Sequence, residues 1–503
     1  MEHVLVVDCG TSSLKAMLYD TAGKLLFRSS QEYHSEFFHN NYVEQQPRTW
    51  KDALLFTLQE SAGKIRERGI TVDAIVITSQ RASVIPVDRS GEPLYNALMW
   101  QDKRSIVQCN KVSAEIPVNE IYRKTGLRLD PYFSAPKMMW LKDEAPDIYA
   151  KTHKMLGVQD YVVFLLTGVF ITDCTQACRT MLMNINTFSW DEDLLRITGV
   201  SPSHLPELCV PGSKVGELTG ELASITGLTA GIPVIIGGGD QQCAALALNI
   251  LQVGYAEANT GTGSFVIAYS EKPQFDEACR TLCSAAAIPG KWIVEAGIFT
   301  TGSIHRWFRE QFYPEDANVY DVMNQEAAES PVGANGVIML PHFEGSAAPY
   351  WNPIAKGLFV NLTMATRRSD FTRAILEGIS LEIAHNLSLL ENLAGRISTV
   401  SVAGGLTSFD LFNRIQADAF NRTVIRYDNN EASSLGALMS AAVTMGVYKD
   451  HSEAFQSVTA SQPLVFEPDV VNAGKYAKLF TRKDRVYQVL HQADLYALFR
   501  EPL

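Results

Sequence analysis

What this sequence lacks narrows its function first. No apolar run is long enough to cross a bilayer. The longest, such as Ile232–Ile236, are interrupted by Gly and Pro and fall far short of the ~20 residues a spanning helix needs. There is no block of basic residues, and the formal charge is −12 over 503 residues. The chain therefore lacks the basic face that neutralises nucleic-acid phosphates and the polybasic segment that holds an anionic membrane. Its first residues, MEHVLVVDCG, lack the basic start, apolar core and small-residue cleavage site of a secretory signal, so a cytoplasmic protein is expected. Of eight cysteines, Cys174/Cys178 and Cys279/Cys283 lie four apart, but no nearby His completes a metal set. Small, reduced, buried thiols are expected instead.

What remains is the material of a folded protein. Hydrophobic residues make up 46% and charged residues 19%, and 503 residues exceed what one hydrophobic core accommodates, so two or more domains are expected. The chain opens with a Val-rich run, Val4–Asp8, a Gly/Thr/Ser turn, a second apolar run, Leu14–Tyr19, and a third after Gly23. Thr49–Arg68 carries apolar residues at helical spacing and stops at Gly69, and Ala74–Thr78 reads as another strand. The order β-β-β-α-β predicts a mixed sheet with helices rather than a plain βαβ array. The same grammar returns later: Gly254–Asn259, a second Gly/Thr/Ser turn, then Phe265–Tyr269. The loops Asp8–Ser13 (DCGTSS) and Asn259–Ser264 (NTGTGS) look like equivalent parts of two related halves meeting near Asn249. No low-complexity linker separates them, so a compact hinge is expected, suited to a cleft that closes on a ligand. Further on, a strand at Ser398–Ala403 leads through Gly404–Gly405 into a helical pattern from Ser408.

Small residues let a backbone approach an anion closely, so two such loops facing one cleft could hold a nucleotide's phosphates from both sides. An ordinary hairpin turn explains either loop alone; matching contexts favour the shared role. Neither fits GxxxxGK[ST], and the HRD and DFG motifs of protein kinases are missing. The sharpest single feature is Gly237–Gly239 followed by Asp240 after the strand Pro233–Ile236. A carboxylate on a glycine turn at a strand end can take a proton from a hydroxyl or help to hold a metal; it can equally cap a helix starting at Gln241. Asp8, at the end of the first strand, faces the same choice, its functional role being Mg²⁺ coordination through water. Gln80–Arg81, Trp100–Asp102 and Tyr132–Phe133 mix polar groups with aromatics, as a site for a small hydroxylated ligand does, although partial burial in a core explains each alone.

Together these segments resemble the FGGY family of carbohydrate kinases, and within it most closely the glycerol kinases, from Val4 to about Tyr448. Tyr132–Glu144, YFSAPKMMWLKDE, fits the family's first signature; Gly357–Glu377 resembles the second, with Asn361 where Gly is usual. TGLRLDPYFS, ACRTMLMNI, GGGDQQCAAL and APYWNP are also similar to glycerol kinases. The resemblance implies an α/β, actin-like ATPase fold with two ribonuclease-H-like domains around a central cleft. Residues 1–248 would carry the sugar site, the first phosphate loop and the catalytic Asp, and 249–503 the second phosphate loop and the adenine site. It further implies ATP and Mg²⁺, with Asp240 as catalytic base and Asp8 and Asp240 in the metal environment. Thr11, Ser12, Ser13 and Lys15 (in place of a common Arg), with Gly261, Thr262, Gly302 and Gly405, would line the ATP site. Gln80, Arg81, Trp100, Tyr132, Asp240, Gln241 and Phe265 would contact substrate. By analogy a homodimer is expected, with no nucleic-acid or membrane partner.

Two departures bear on specificity. Glycerol kinases resembling this chain carry Gln-Arg-Glu where it has Gln80-Arg81-Ala82, and the lost carboxylate is an acceptor for substrate hydroxyls. A longer polyol or a ketose such as a pentulose is therefore expected, making a xylulokinase or ribulokinase the alternative within the family. Phe409 replaces the polar residue usual beside adenine. Outside sugar phosphorylation, the actin-like fold also serves ATP-driven conformational switches and would serve a non-catalytic sugar sensor; a candidate sugar pocket and no appended partner-binding module favour the kinase.

Overall fold

Val4, Leu5, Val6 and Val7 are all fully buried, because the strand they build, His3–Cys9, runs through the middle of a sheet with a covered layer on each face. The computed structural model describes residues 2–38, 41–314, 318–427, 431–459 and 462–499. In the first sheet the strands lie in the order Leu25–Glu32, Ser13–Asp20, His3–Cys9, Ala74–Ser79, Pro233–Gly239, with Lys214–Glu217 at the edge. The first three are antiparallel hairpin strands; Ala74–Ser79 and Pro233–Gly239 add in parallel. Helix Arg48–Arg68 makes the crossover. Trp50, Ala53, Leu54, Thr57, Leu58, Ser61 and Ala62 form its buried stripe, and Gly69 ends it with a left-handed φ of 64°. Burying Leu54 and Leu58 contributes roughly 1.5–3 kcal/mol each.

The second half repeats this plan. Trp292–Ile298, Ser264–Ser270, Tyr255–Thr260, Thr399–Ala403 and Thr423–Arg426 lie side by side with the same sequence of antiparallel and parallel pairings. Leu282–Ala285 and Leu464–Phe466 extend its two edges, and the long helix Arg368–Ala394 buries its apolar face on it. The duplication suggested by two loops thus extends to the order and direction of five strands, and the two ribonuclease-H-like halves make the actin-like fold.

The halves are joined by an exchange of helices. Helix Ala432–Thr444 leaves the second sheet, yet its Ala437, Leu438, Met439 and Ala441 pack in the core beneath Val4, Val6, Val76 and Ile235 of the first. Helix Asp240–Ala247 leaves the first sheet, and its Ala245, with Leu248 and Ile250 beyond it, packs against Ile267, Tyr269 and Ile293 of the second. The two helices touch at Gly436, where an added Cβ would stand 1.8 Å from the Cys243 carbonyl oxygen, a separation only glycine permits.

Some boundaries differ from the sequence reading. The helix expected from Gln241 starts at Asp240, whose own Oδ1 accepts the Gln241 N–H at 2.7 Å. The helix expected from Ser408 starts at Asp410, because Gly405–Ser408 tightens into a 3₁₀ turn held by Thr407 Oγ1 donating to the Gly404 carbonyl at 2.7 Å. Asn361, which stands where the family's signature has Gly, adopts φ 66° and donates its side-chain amide to the Gly336 carbonyl at 2.9 Å. Asn tolerates the left-handed region better than most residues, so the departure keeps the turn.

Candidate active site

Both Gly/Thr/Ser loops are tight turns between antiparallel strands. In the first, the Gly10 N–H donates to the Ser13 carbonyl at 3.0 Å; in the second, the Gly261 N–H donates to the Gly263 carbonyl at 2.9 Å. Ser12 is exposed and Ser13 half-buried at the start of its strand, so the first turn faces open space. Lys15, on the strand that leaves it, ion-pairs with Glu431 of the second half at 2.7 Å. Asp8 accepts a hydrogen bond from Ser434 Oγ at 3.2 Å. These groups line one cavity of about 360 Å³ between the halves: Asp8 and Lys15 from the first, Asn259, Gly404, Gly405 and Glu431 from the second.

A second cavity of about 360 Å³ opens next to it, lined by Gly261, Thr262, Gly302, Gly405, Tyr320 and Phe409 among others. Its floor requires glycine. The Gly302 N–H donates to the Gly261 carbonyl at 3.0 Å, and a Cβ on Gly302 would stand 2.3 Å from that oxygen. Gly404, at φ 96°, would place a Cβ 2.2 Å from the Thr260 carbonyl oxygen. Gly405 faces open space. Phe409 forms part of an aromatic wall with Tyr320 and His305, ring centroids 6.1 and 6.3 Å away, so the residue that departs from the glycerol kinases still gives a flat surface on which a base can lie.

On the side of the first half, Asp240 begins its helix with Oδ1 3.5 Å from the Arg81 Nε. Burial pushes its carboxyl above the usual range and Arg81 pulls it back. Asp8 is pushed up to about 7, first by burial and then by the charge of Asp240. Trp100 and Tyr132 stand with ring centroids 5.5 Å apart, and the Trp100 indole N–H donates to Thr11 Oγ1 at 3.2 Å, which joins this aromatic pair to the first Gly/Thr/Ser loop. In the second half, Phe265, next to the second Gly/Thr/Ser loop, is 41% exposed, a large apolar ring left open on its strand. Gln241 is half-buried beside Asp240, its Oε1 without a hydrogen-bond partner.

Gln80 behaves differently. Its amide donates to the Gly10 carbonyl at 3.5 Å and its Oε1 accepts from Ser83 Oγ at 3.2 Å, so this side chain braces the first loop. Ala82 is buried with φ 68° and borders a small cavity of about 20 Å³, room for one water, with Ser83, Ser134, Gln176 and Thr180.

Several groups at this site have no counterpart in the sequence reading. Lys137 is fully buried, its ammonium donating to the carbonyls of Ala82, Pro131, Tyr132 and Phe133, and burial pulls it down to about 7. Arg179 pairs with Glu295 from the facing half. The available signals were a Lys flanked by Ala135–Pro136 and Met138–Leu141 and single Glu residues at 257 and 295 inside largely apolar strands.

Two family models match the chain: the N-terminal domain of the FGGY family of carbohydrate kinases over residues 3–247 and its C-terminal domain over residues 256–445. The chain belongs to the FGGY family of carbohydrate kinases. It is 33% identical to the glycerol kinase of Thermococcus gammatolerans over 477 residues, 93% of each chain, and 28% identical to the xylulose kinase of Bacillus subtilis over 495 residues, 98% of each. Among solved structures, the gluconate kinase from Lactobacillus acidophilus superposes with a TM-score of 0.92 at 26% identity, covering 99% of both chains. The protein is an FGGY kinase that transfers a phosphoryl group to a hydroxyl of a small sugar or polyol. Among the described residues no helix is long and apolar enough to cross a membrane.

Proposed function

We propose that this FGGY kinase transfers the γ-phosphoryl group of ATP to a hydroxyl of a polyol or ketose longer than glycerol, with Asp240 as the base. One observation carries the reading: Asp240 stands at the start of a helix in the cleft, next to Arg81 and near enough to Asp8 for their charges to interact. A carboxylate there can accept the proton of a hydroxyl held by Arg81, Trp100 and Tyr132, while Phe265 covers the apolar face of the carbon chain. Gly302 packs on the Gly261 carbonyl closer than any other residue could, and small residues at such a turn let phosphates approach the backbone closely. Lys15 offers a cation from the other side.

Mg²⁺ fits the same residues. Asp8 and Asp240 are half-buried carboxylates, and the charge of Asp240 raises the affinity of Asp8 for a proton; such a pair takes a divalent cation well, and Mg²⁺ commonly needs only one or two protein carboxylates beside substrate phosphates. Bound there, it would offset the charge of the phosphate oxygens. The residues' own tasks are then separate: Asp240 orients and deprotonates the hydroxyl, Arg81 and the aromatics fix the acceptor, and the two loops fix the donor.

Substrate length is argued from Ala82, which has no acceptor to offer a small triol. The relatives' names span glycerol, xylulose and gluconate kinases, so an acceptor longer than glycerol lies within the range of proteins this chain resembles. Eight free cysteines, most of them buried, support a reducing cytoplasmic setting. The test is coupled ADP release with Mg-ATP and glycerol, erythritol, D-xylulose, L-xylulose, D-ribulose, L-ribulose or D-gluconate. A ketose or longer polyol preferred at least tenfold over glycerol supports the reading, and glycerol as the best acceptor refutes its substrate part.

A further inference from the structure

A row of charged side chains crosses the cleft beneath Asp240. Glu257 and Glu295 lie in register across the second sheet, each opposite Ile267, so their side chains leave the same face. From the first half, Arg179, in the turn Cys178–Thr180, donates to Glu295 Oε2, and Arg81 Nη1 stands 3.9 Å from the same oxygen. Arg81 is the residue whose Nε faces Asp240 at 3.5 Å. Arg81, Arg179, Glu257 and Glu295 are each at least nine-tenths buried. The charges balance: two guanidinium groups face the carboxylates of Glu295 and Asp240, and Glu257, pushed up to about 8 by burial and then by Glu295, is neutral at pH 7. Arg179 and Arg81 in turn hold Glu295 below the usual carboxylate range against the effect of burial.

A buried arginine between two carboxylates on different halves can serve both only while the halves are together. Removing one partner from such a group leaves a buried charge unpaired, so its geometry is set by the contact across the cleft. We propose that Glu295 is a positioning residue for the acceptor: it anchors Arg81 and Arg179 from the opposite half and so completes the sugar pocket only when the cleft is closed. The inference rests on the reading of Arg81 and Asp240 as the acceptor site. Glu295 itself reaches the acceptor through Arg81, and a displacement of about 1 Å at such a group can cost up to about a hundredfold in rate.

The test is steady-state kinetics of Glu295→Gln, Glu295→Asp and the doubly substituted Glu295→Gln/Arg179→Gln, with whichever acceptor of the panel above the wild type turns over fastest. Glu295→Gln should raise KM for the acceptor about tenfold or more while KM for ATP stays within about twofold, and Glu295→Asp should recover part of the loss. The double variant removes one charge of each sign, so it folds even if the single one does not, and it should show the same selective rise because Arg81 is still unanchored. Unchanged acceptor KM in the double variant, or equal losses for acceptor and ATP, would overturn the proposal. Asp240→Asn separates the two readings. If it is inactive and the Glu295 variants behave as wild type, only the anchoring role fails. If it is fully active, or if the wild type phosphorylates none of the acceptors, the acceptor site is misassigned and the anchoring role fails with it.

Discussion

Lys137 Nζ points at the carbonyl oxygen of Ala82 from 3.4 Å, and that contact ties a residue of the first FGGY signature to the loop that carries Arg81. The same ammonium donates to the carbonyls of Pro131, Tyr132 and Phe133, so one side chain ties the segment carrying Tyr132 to the loop carrying Arg81. Lys137→Met keeps an unbranched apolar chain of similar size and loses every side-chain donor, taking a partner from the carbonyls of Ala82, Pro131 and Tyr132. The expected outcome is a loss of about 2–4 kcal/mol in stability together with a raised acceptor KM, read by denaturant unfolding and kinetics. Wild-type stability in the methionine variant would show that these carbonyls find water instead.

Ala82→Glu returns the carboxylate that similar glycerol kinases carry. Ala82 already sits at φ 68°, so the side chain is exchanged without a new backbone cost beyond the one alanine bears. Glycerol kcat/KM should rise by about tenfold or more relative to the wild type, while activity with the preferred longer acceptor falls. Competition between the two acceptors in one assay reads both changes; no gain with glycerol would separate Ala82 from specificity.

Glu257 yields a pH prediction with a definite sign. Burial first, then Glu295, raise its carboxyl from 4.5 to about 8, against the opposing pull of Arg81. A group bound more tightly to its proton in the folded state stabilises the fold below pH 4.5, and that contribution disappears as pH rises through 8. Glu257→Gln, neutral at every pH, should melt like the wild type near pH 4.5 and be more stable near pH 9, by about 1–3 kcal/mol. Thermal scans at the two pH values are sufficient, and an equal difference at both would mean that Glu257 does not titrate in this range.

Gly302→Ala tests the donor cradle. The new methyl would stand 2.3 Å from the Gly261 carbonyl oxygen, a backbone atom with no freedom to rotate away. ATP affinity should fall about tenfold or more with acceptor KM little changed, the reverse of the selectivity expected for Glu295.

The legible parts of this molecule are those whose cause is local. Val4–Asp8, Gly69 and the two Gly/Thr/Ser turns announce themselves through apolar runs and residues that tolerate unusual φ, and their repetition carries the duplicated fold. Asp240 is legible because three glycines precede it. The pairing of Arg179 with Glu295 is not, since 116 residues separate them and nothing in either segment points to the other. Gln80 shows the limit from the other side: adjacent to Arg81 in the chain, it turns its amide to Gly10, a direction that no spacing rule encodes. Only the fold decides which of two neighbours faces the cleft.

The traded helices have a consequence for how the molecule melts. Each half lends the other a slab of its apolar floor, Ala437–Ala441 one way and Ala245–Ile250 the other, so neither can come apart without stripping its neighbour. Two cores built on one repeated plan then behave in heat as one: a single calorimetric peak, and a protease cut near Asn249 that leaves two fragments still clasped.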